Sequence, residues 1–350
     1  EIPAGIWELY NLENLNLWNN NVSGNLSNVG NLINLNYLNF GGSNNLNGEI
    51  PSEIGNLTNL IGLDLWGNNL SGPIPSEIGN LVNLESLYLA NNQLTGPIPN
   101  QIGNLINLEH LEIDQNQLSG EIPSTIDNLV NLKHLELWDN QLSGPILSYI
   151  TNLEQLDLLE IDQNNFSGTI PSEISNLINL NALWLSYNQF SGEVPLEIGN
   201  LPSLTTLTLG HNQFSGTIPE NICNINFNLS WDNEMDISQY MFNNNQFCPE
   251  YPVCISEYID IEEQELSNCF ICDGGDENEQ ALWGNCYHIE YTTEISLPNS
   301  NLTGSIPQEL ENFNNLNYLN LSANDLTGEI PEFLCSTNGV YYLNNNSFCG

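Results

Sequence analysis

Cations are almost missing from this chain. Its 350 residues include one lysine, Lys133, and no arginine, against 43 acidic residues, for a formal net charge of −42. Charged residues make up 13% of the chain where ~25% is ordinary, so the acids are near their usual share and the bases have gone. Such a chain repels nucleic acid and anionic membranes and cannot neutralise itself through ion pairs. Close contacts therefore call for cations or a basic partner, although acidity of this kind also serves solubility alone. No run of 18 apolar residues exists, so nothing reads as membrane-spanning. Catalytic signatures are missing too: there is no Gly-Lys-Ser/Thr phosphate loop, no Gly-x-Ser-x-Gly elbow and no His-Glu-x-x-His. With only four histidines and one lysine, the reading is non-enzymatic.

What is present is a repeat. From Leu12 to Gly216 the pattern Leu-x-x-Leu-x-Leu-x-x-Asn-x-Leu-x-Gly recurs, followed by Ile-Pro and an Ile-Gly-Asn-Leu tail. The first leucines are Leu12, Leu35, Leu60, Leu84, Leu108, Leu132, Leu156, Leu180 and Leu204, spaced by 24 except for steps of 23 and 25 at the start. A period in this range means a solenoid, because one unit cannot bury its own apolar face. Leu-x-x-Leu-x-Leu alternates with period two and reads as a short strand, leucines inward and x residues outward. The Asn that follows (Asn44, Asn68, Asn92 and their equivalents) sits where the strand turns, and its amide offers two donors and an acceptor to unpaired backbone. Gly permits tight backbone, and Ile-Pro starts an extended or 3₁₀ segment. Stacking such turns predicts a parallel sheet on one face and irregular structure on the other.

These residues resemble leucine-rich repeats of the plant-type extracellular class over about 1–222 and again 288–350, and also repeats in secreted proteins of marine bacteria. The resemblance implies an α/β repeat solenoid: a right-handed superhelix with a concave parallel sheet, an irregular or 3₁₀ convex side, and partners bound on the concave face. It also implies a cysteine-bearing cap, which pairs Cys272 with Cys286.

No cysteine precedes Cys223, and eight then follow: Cys223, Cys248, Cys254, Cys269, Cys272, Cys286, Cys335 and Cys349. An even count at module ends indicates disulfides and an oxidising, extracellular compartment. Ile-Pro-Glu-Asn-Ile-Cys223 leading to Asn-Asn-Asn-Gln-Phe-Cys248 parallels Ile-Pro-Glu-Phe-Leu-Cys335 leading to Asn-Asn-Asn-Ser-Phe-Cys349. This internal similarity predicts the pairs Cys223–Cys248 and Cys335–Cys349, leaving Cys254–Cys269. Zinc at Cys269-x-x-Cys272 lacks a second ligand pair. The chain is divided accordingly into a first array at 1–248, a cap and linker at 249–290 and a second array at 291–350. It starts within a repeat at Glu1-Ile2-Pro3, an end that truncation or a neighbouring molecule would explain. Nine sequons, at Asn21, Asn25, Asn56, Asn69, Asn165, Asn228, Asn301, Asn320 and Asn345, matter only in a secreting eukaryote. Asp273–Glu279 reads as an acidic linker rather than a calcium loop.

Function is sought where the copies differ. Copies five to seven carry Glu112, Glu136 and Glu160 between the second and third leucines, three carboxylates on strands ~4.8 Å apart. At that spacing a pair repels by about 1 kcal/mol in water and several times more at lower dielectric. Asp114, Asp139 and Asp162 stand nearby, with Glu109 and Asp157 at the strand entry. Calcium suits such hard oxygens, while a transition metal would use His110 and His134 on neighbouring strands. A solvated acidic face without any ion is the plain alternative. Trp18, Trp66, Tyr88, Trp138, Trp184 and Tyr187 fall at strand positions read as exposed, which suits protein or carbohydrate contact or mutual stacking.

The first expectation is recognition of a protein or polysaccharide, cationic or cation-bridged, through a face that includes Glu112, Glu136, Glu160, Asp114, Asp162, Trp66, Tyr88, Trp138 and Trp184. The alternative is a structural subunit of a surface layer or filament that self-associates end to end. Ice binding by regular Asn and Thr ladders is disfavoured, because Asn16, Asn39, Asp64, Tyr88 and Glu112 break the regularity.

Overall fold

The protein's computed structural model describes residues 1–228, 230–231, 235–236, 238–248, 251–260, 264, 279–283, 285–331, 333–334 and 339–348. They form two compact units, Glu1–Asn268 and Cys269–Gly350.

In the first unit each repeat contributes a three-residue strand to one nine-stranded parallel sheet, running in chain order from Asn14–Asn16 to Thr206–Thr208. Register is preserved from copy to copy: Leu63 pairs with Leu87, Leu87 with Leu111, and Leu111 with Leu135. Those leucines are essentially inaccessible and belong to one continuous core with Ile78, Ile102 and Ile126 from the opposite side. Ile-Pro does what its stereochemistry demands. Pro51, Pro75 and Pro99 are extended and open 3₁₀ turns at Ser52–Asn56, Ser76–Asn80 and Asn100–Asn104. Successive turns approach closely: a Cβ at Gly55 would stand 2.6 Å from the Glu77 carbonyl oxygen.

The asparagine ladder is satisfied in full from Asn44 onwards. Asn140 is representative: its Oδ1 accepts from Leu118 N at 2.9 Å, and its Nδ2 donates to Ile113 O and Leu137 O, both at 3.1 Å. One amide thus ties its own turn to the preceding repeat. The residue before each ladder asparagine takes a left-handed conformation, with φ of 49° at Gln115, 51° at Asp139 and 55° at Tyr187.

A second parallel sheet, of ten short strands, is not anticipated by the period-two reading. It runs from Ser23–Gly24 to Gln246–Phe247, built from the Gln-Leu-Ser-Gly stretch after each ladder asparagine. Four residues are too few for alternation to announce a strand, yet Leu94, Leu118 and Leu142 are fully buried and Gln93, Gln117 and Gln141 exposed. Towards the end of this sheet phenylalanine replaces the leucine. Phe166, Phe190, Phe214 and Phe247 stack with ring centroids 6.5, 6.2 and 6.2 Å apart.

The end of the first unit corrects the expected disulfides. Cys223 is bonded to Cys254, not Cys248, with Cα atoms 5.6 Å apart, so Cys254 is not available to Cys269. Phe247 must stack on Phe214, which fixes Cys248 at the second sheet, where its N donates to Gly216 O. The turn at Ser256–Tyr258 instead places Cys254 against the 3₁₀ turn Glu220–Asn224. Cys248 is also disulfide-bonded. Cys269, Cys272, Cys335 and Cys349 lie outside the described residues, and so does nearly all of the 273–279 loop.

The second unit repeats the scheme briefly. Glu294–Ser296, Tyr318–Asn320 and Val340–Tyr342 form a parallel sheet, and Asn324 Oδ1 accepts from Ser300 N at 2.8 Å and Leu302 N at 3.0 Å. A hairpin of Glu279–Leu282 and Asn285–His288 contributes Leu282 to a core with Ile295, Leu319 and Leu326. Of the nine sequon asparagines eight are exposed and Asn320 is half-buried.

Candidate functional site

The main sheet brings the expected acids into one file. Asp64 pairs with Tyr88, Tyr88 with Glu112, Glu112 with Glu136, Glu136 with Glu160 and Glu160 with Trp184. All but Trp184 are half-buried. Removal from water penalises their charged forms, and neighbouring carboxylates add to that penalty. Burial, with Glu136 and Asp114 alongside, pushes Glu112 up to about 8. Burial raises Glu136 to about 7, helped by Asp114. Glu160 is raised furthest, to about 9, again by burial first and by Glu136 second. Asp114 and Asp162, two residues beyond the strands, are raised by burial to about 6 even though backbone and glutamine hydrogen bonds favour their charged forms.

The one lysine does not neutralise this file. Lys133 Nζ donates to Glu109 at 2.7 Å, at the strand entry, where both side chains are well exposed. His110 and His134 sit at the same register, with rings in edge contact at a centroid distance of 4.6 Å. Burial and the neighbouring His134 hold His110 below the usual imidazole range.

The aromatic residues divide into two groups. Trp18 and Trp66 are exposed at 53% and 37%, as expected. Trp184 is not: only 7% of its surface is accessible. The short helix Ser238–Met241, off the 24-residue register, folds against the last strands of the sheet. Leu209 N donates to Met241 O at 2.7 Å, Gly210 N to Tyr240 O at 2.8 Å, and Ser186 Oγ to the same Tyr240 O at 2.9 Å. Tyr240 therefore packs on Trp184. Between this segment and the sheet lies a cavity of about 390 Å³, walled by Trp138, Trp184, Tyr187 and Tyr240, with Glu160 and Asp162 among its lining. That volume is in the range of small-ligand pockets. Tyr240 is the residue that sequence reading missed, because nothing in the repeat signals a crossing segment.

Repeats stacked through a leucine core, carrying variable side chains on one parallel sheet, define a solenoid of the recognition-repeat class. The chain belongs to the leucine-rich repeat family, in its plant-type extracellular class. Residues 6–172 match the family described as leucine-rich repeat region, and residues 179–201, 203–225 and 315–337 match leucine rich repeat. The chain is similar to the ectodomain of the plant membrane receptor kinase GASSHO1/SCHENGEN3 from Arabidopsis thaliana, solved with CASPARIAN STRIP INTEGRITY FACTOR 2 (32% identity over 97% of this chain and 39% of that one, TM-score 0.63). It is also similar to the ectodomain of the Arabidopsis receptor kinase HAESA, solved with an IDA peptide hormone ligand (29% identity over 100% of this chain and 56% of that one, TM-score 0.58). A plant ice-binding protein is similar as well (30% identity over 69% of this chain and 74% of that one, TM-score 0.53). The chain spans between about two fifths and three fifths of these two receptor ectodomains. No curated protein matches it significantly. Among the described residues no helix is long and apolar enough to cross a membrane.

Proposed function

We propose that this chain is an extracellular, non-enzymatic recognition module that binds a protein segment bearing lysine or arginine side chains along the file from Asp64 to Trp184. One observation carries the reading: three half-buried glutamates in register lead into an aromatic cavity, and the chain's lysine is paired elsewhere. A cation laid over the file restores charge balance where burial penalises bare carboxylates. An aliphatic stem ending in an ammonium or guanidinium fits between Trp138, Trp184 and Tyr240, where ring faces and the Glu160 carboxylate both attract it. The peptide and protein ligands of the similar receptor ectodomains support a partner of this kind.

The test is a panel of basic peptides from secreted proteins, run beside a glycan array and a sedimentation measurement. Binding should weaken by roughly a factor of ten or more when Glu112, Glu136 and Glu160 are together changed to glutamine, and it should fall with salt. Glycan binding in place of peptide binding, or end-to-end assembly without either, would replace this reading with the polysaccharide or the filament one.

A second reading rests on the second sheet. Its outer positions are uniform where the main sheet's are not: Ser71, Thr95, Ser119, Ser143, Ser167, Ser191 and Ser215 repeat, each with Asn or Gln two residues before it. Pairing slips two residues per repeat, with Ser71 opposite Gln93, so hydroxyls and amides alternate across strands. A regular hydroxyl–amide lattice is the kind of surface that ordered water can match, and the ice-binding relative supports it. Inhibition of ice recrystallisation at micromolar protein, lost when Ser119 and Ser143 become lysine, is the expected result; none in the unaltered protein rules this reading out.

A further inference from the structure

The sequence His-Leu-Glu occurs on two adjacent strands, His110–Glu112 and His134–Glu136, and nowhere else in the sheet. Parallel pairing in exact register sets His110 beside His134 and Glu112 beside Glu136, a square of two imidazoles and two carboxylates on one face. One ligand atom each from His110, Glu112 and His134 lies within 4.8 Å of the other two. The neighbouring copies carry Ser86 and Leu158 at the histidine position, so the square is a local departure from the repeat.

We propose that His110, Glu112 and His134 hold one divalent transition-metal ion of the zinc or copper class. Imidazole nitrogen selects that class over calcium and magnesium, which take oxygen ligands, and a single carboxylate completes a mixed set. Ligand atoms around a tetrahedral zinc, at bonds of about 2.0–2.1 Å, are about 3.3 Å apart. The three side chains are half-buried and can close the remaining gap by rotation about their own bonds, with the backbone register unchanged. His134 is also flanked on both ring nitrogens. Nδ1 is 3.9 Å from Glu136 Oε1 and Nε2 is 3.8 Å from Asp157 Oδ2. Metal on one nitrogen leaves the other N–H facing a carboxylate, the arrangement that fixes tautomer and ring orientation in metal-bound histidines. A plain solvated acidic face has no use for paired imidazoles here.

The test needs no partner, so its failure and the failure of the proposed recognition function are separate events. The oxidised chain, with any free thiols blocked and metal stripped by chelator, is titrated with zinc chloride by calorimetry, and with copper by paramagnetic resonance. One equivalent of zinc should bind, copper should show two nitrogen ligands, and the His110→Ala, His134→Ala double variant should lose both signals. Asp157→Asn should weaken binding by about tenfold through the imidazole it orients. Glu197→Gln, on a distant turn, should change nothing. The melting temperature of each metal-free variant confirms that it folds. Absence of zinc binding, zinc binding that survives the double histidine variant, or calcium competing equally with zinc would overturn the proposal.

Discussion

Asn140→Leu is expected to cost the first unit about 3–5 kcal/mol, read as a lower urea midpoint with an unchanged slope. Leucine keeps the branched outline of asparagine but is larger and supplies none of its contacts, so Leu118 N–H loses its acceptor, while the carbonyls of Ile113 and Leu137 each lose one donor and keep those of Asn116 and Asn164. One unsatisfied buried backbone N–H costs about 1–3 kcal/mol, and each of the two lost amide donations adds about 0.5–1.5 kcal/mol. Repeats contact only their neighbours, so the lesion cannot be spread over the solenoid. Asn20→Leu is the matching control. Asn20 is exposed and its amide reaches only Trp18 O, at 2.9 Å, so the same change there should stay within about 0.5 kcal/mol. Equal costs at both positions would show that the ladder stabilises by packing rather than through its amides.

That contrast also marks how far the sequence carries. The leucine strand, the turn asparagine and the Ile-Pro start of each 3₁₀ segment are dictated by local chemistry that repeats, and repetition makes a weak signal visible. Glu112, Glu136 and Glu160 were legible as one file for the same reason: parallel strands at a constant period keep equivalent residues adjacent. What escaped was either too short or outside the period. Gln-Leu-Ser-Gly offers one buried residue per strand, so the second sheet exists through neighbours rather than through its own pattern. Trp184 looks exposed by its strand position and is buried only because Tyr240, from a segment with no repeat signature, folds over it. Pairing of Cys223 with Cys254 depends likewise on where Phe247 must stack, which spacing between cysteines does not encode.

The acidic file also makes stability fall as pH rises, and the effect should be large. In the unfolded chain Glu160 titrates near 4.5, whereas in the folded protein it is pushed up to about 9. Between those values the folded state holds a proton that the unfolded state has lost. The unfolded state thus binds fewer protons, and the free energy of unfolding decreases with pH across that window. Each unit corresponds to about 1.4 kcal/mol per fully linked group, so Glu160 alone accounts for up to about 4 kcal/mol between pH 5 and pH 8. Glu112, raised to about 8, and Glu136, raised to about 7, act in the same direction over narrower windows. The melting temperature should therefore be higher near pH 5 than near pH 8, the reverse of a protein held by ionised, salt-bridged carboxylates. Glu160→Gln copies the protonated side chain in shape and polarity. It should leave stability near pH 5 almost unchanged, raise it near pH 8 and flatten the slope between. A bound cation should do likewise from the other side, by making the ionised form the stable one. A melting temperature that rises from pH 5 to pH 8, in both the parent and the Glu160→Gln chain, would mean that water reaches these carboxylates freely and that the file is an ordinary solvated surface.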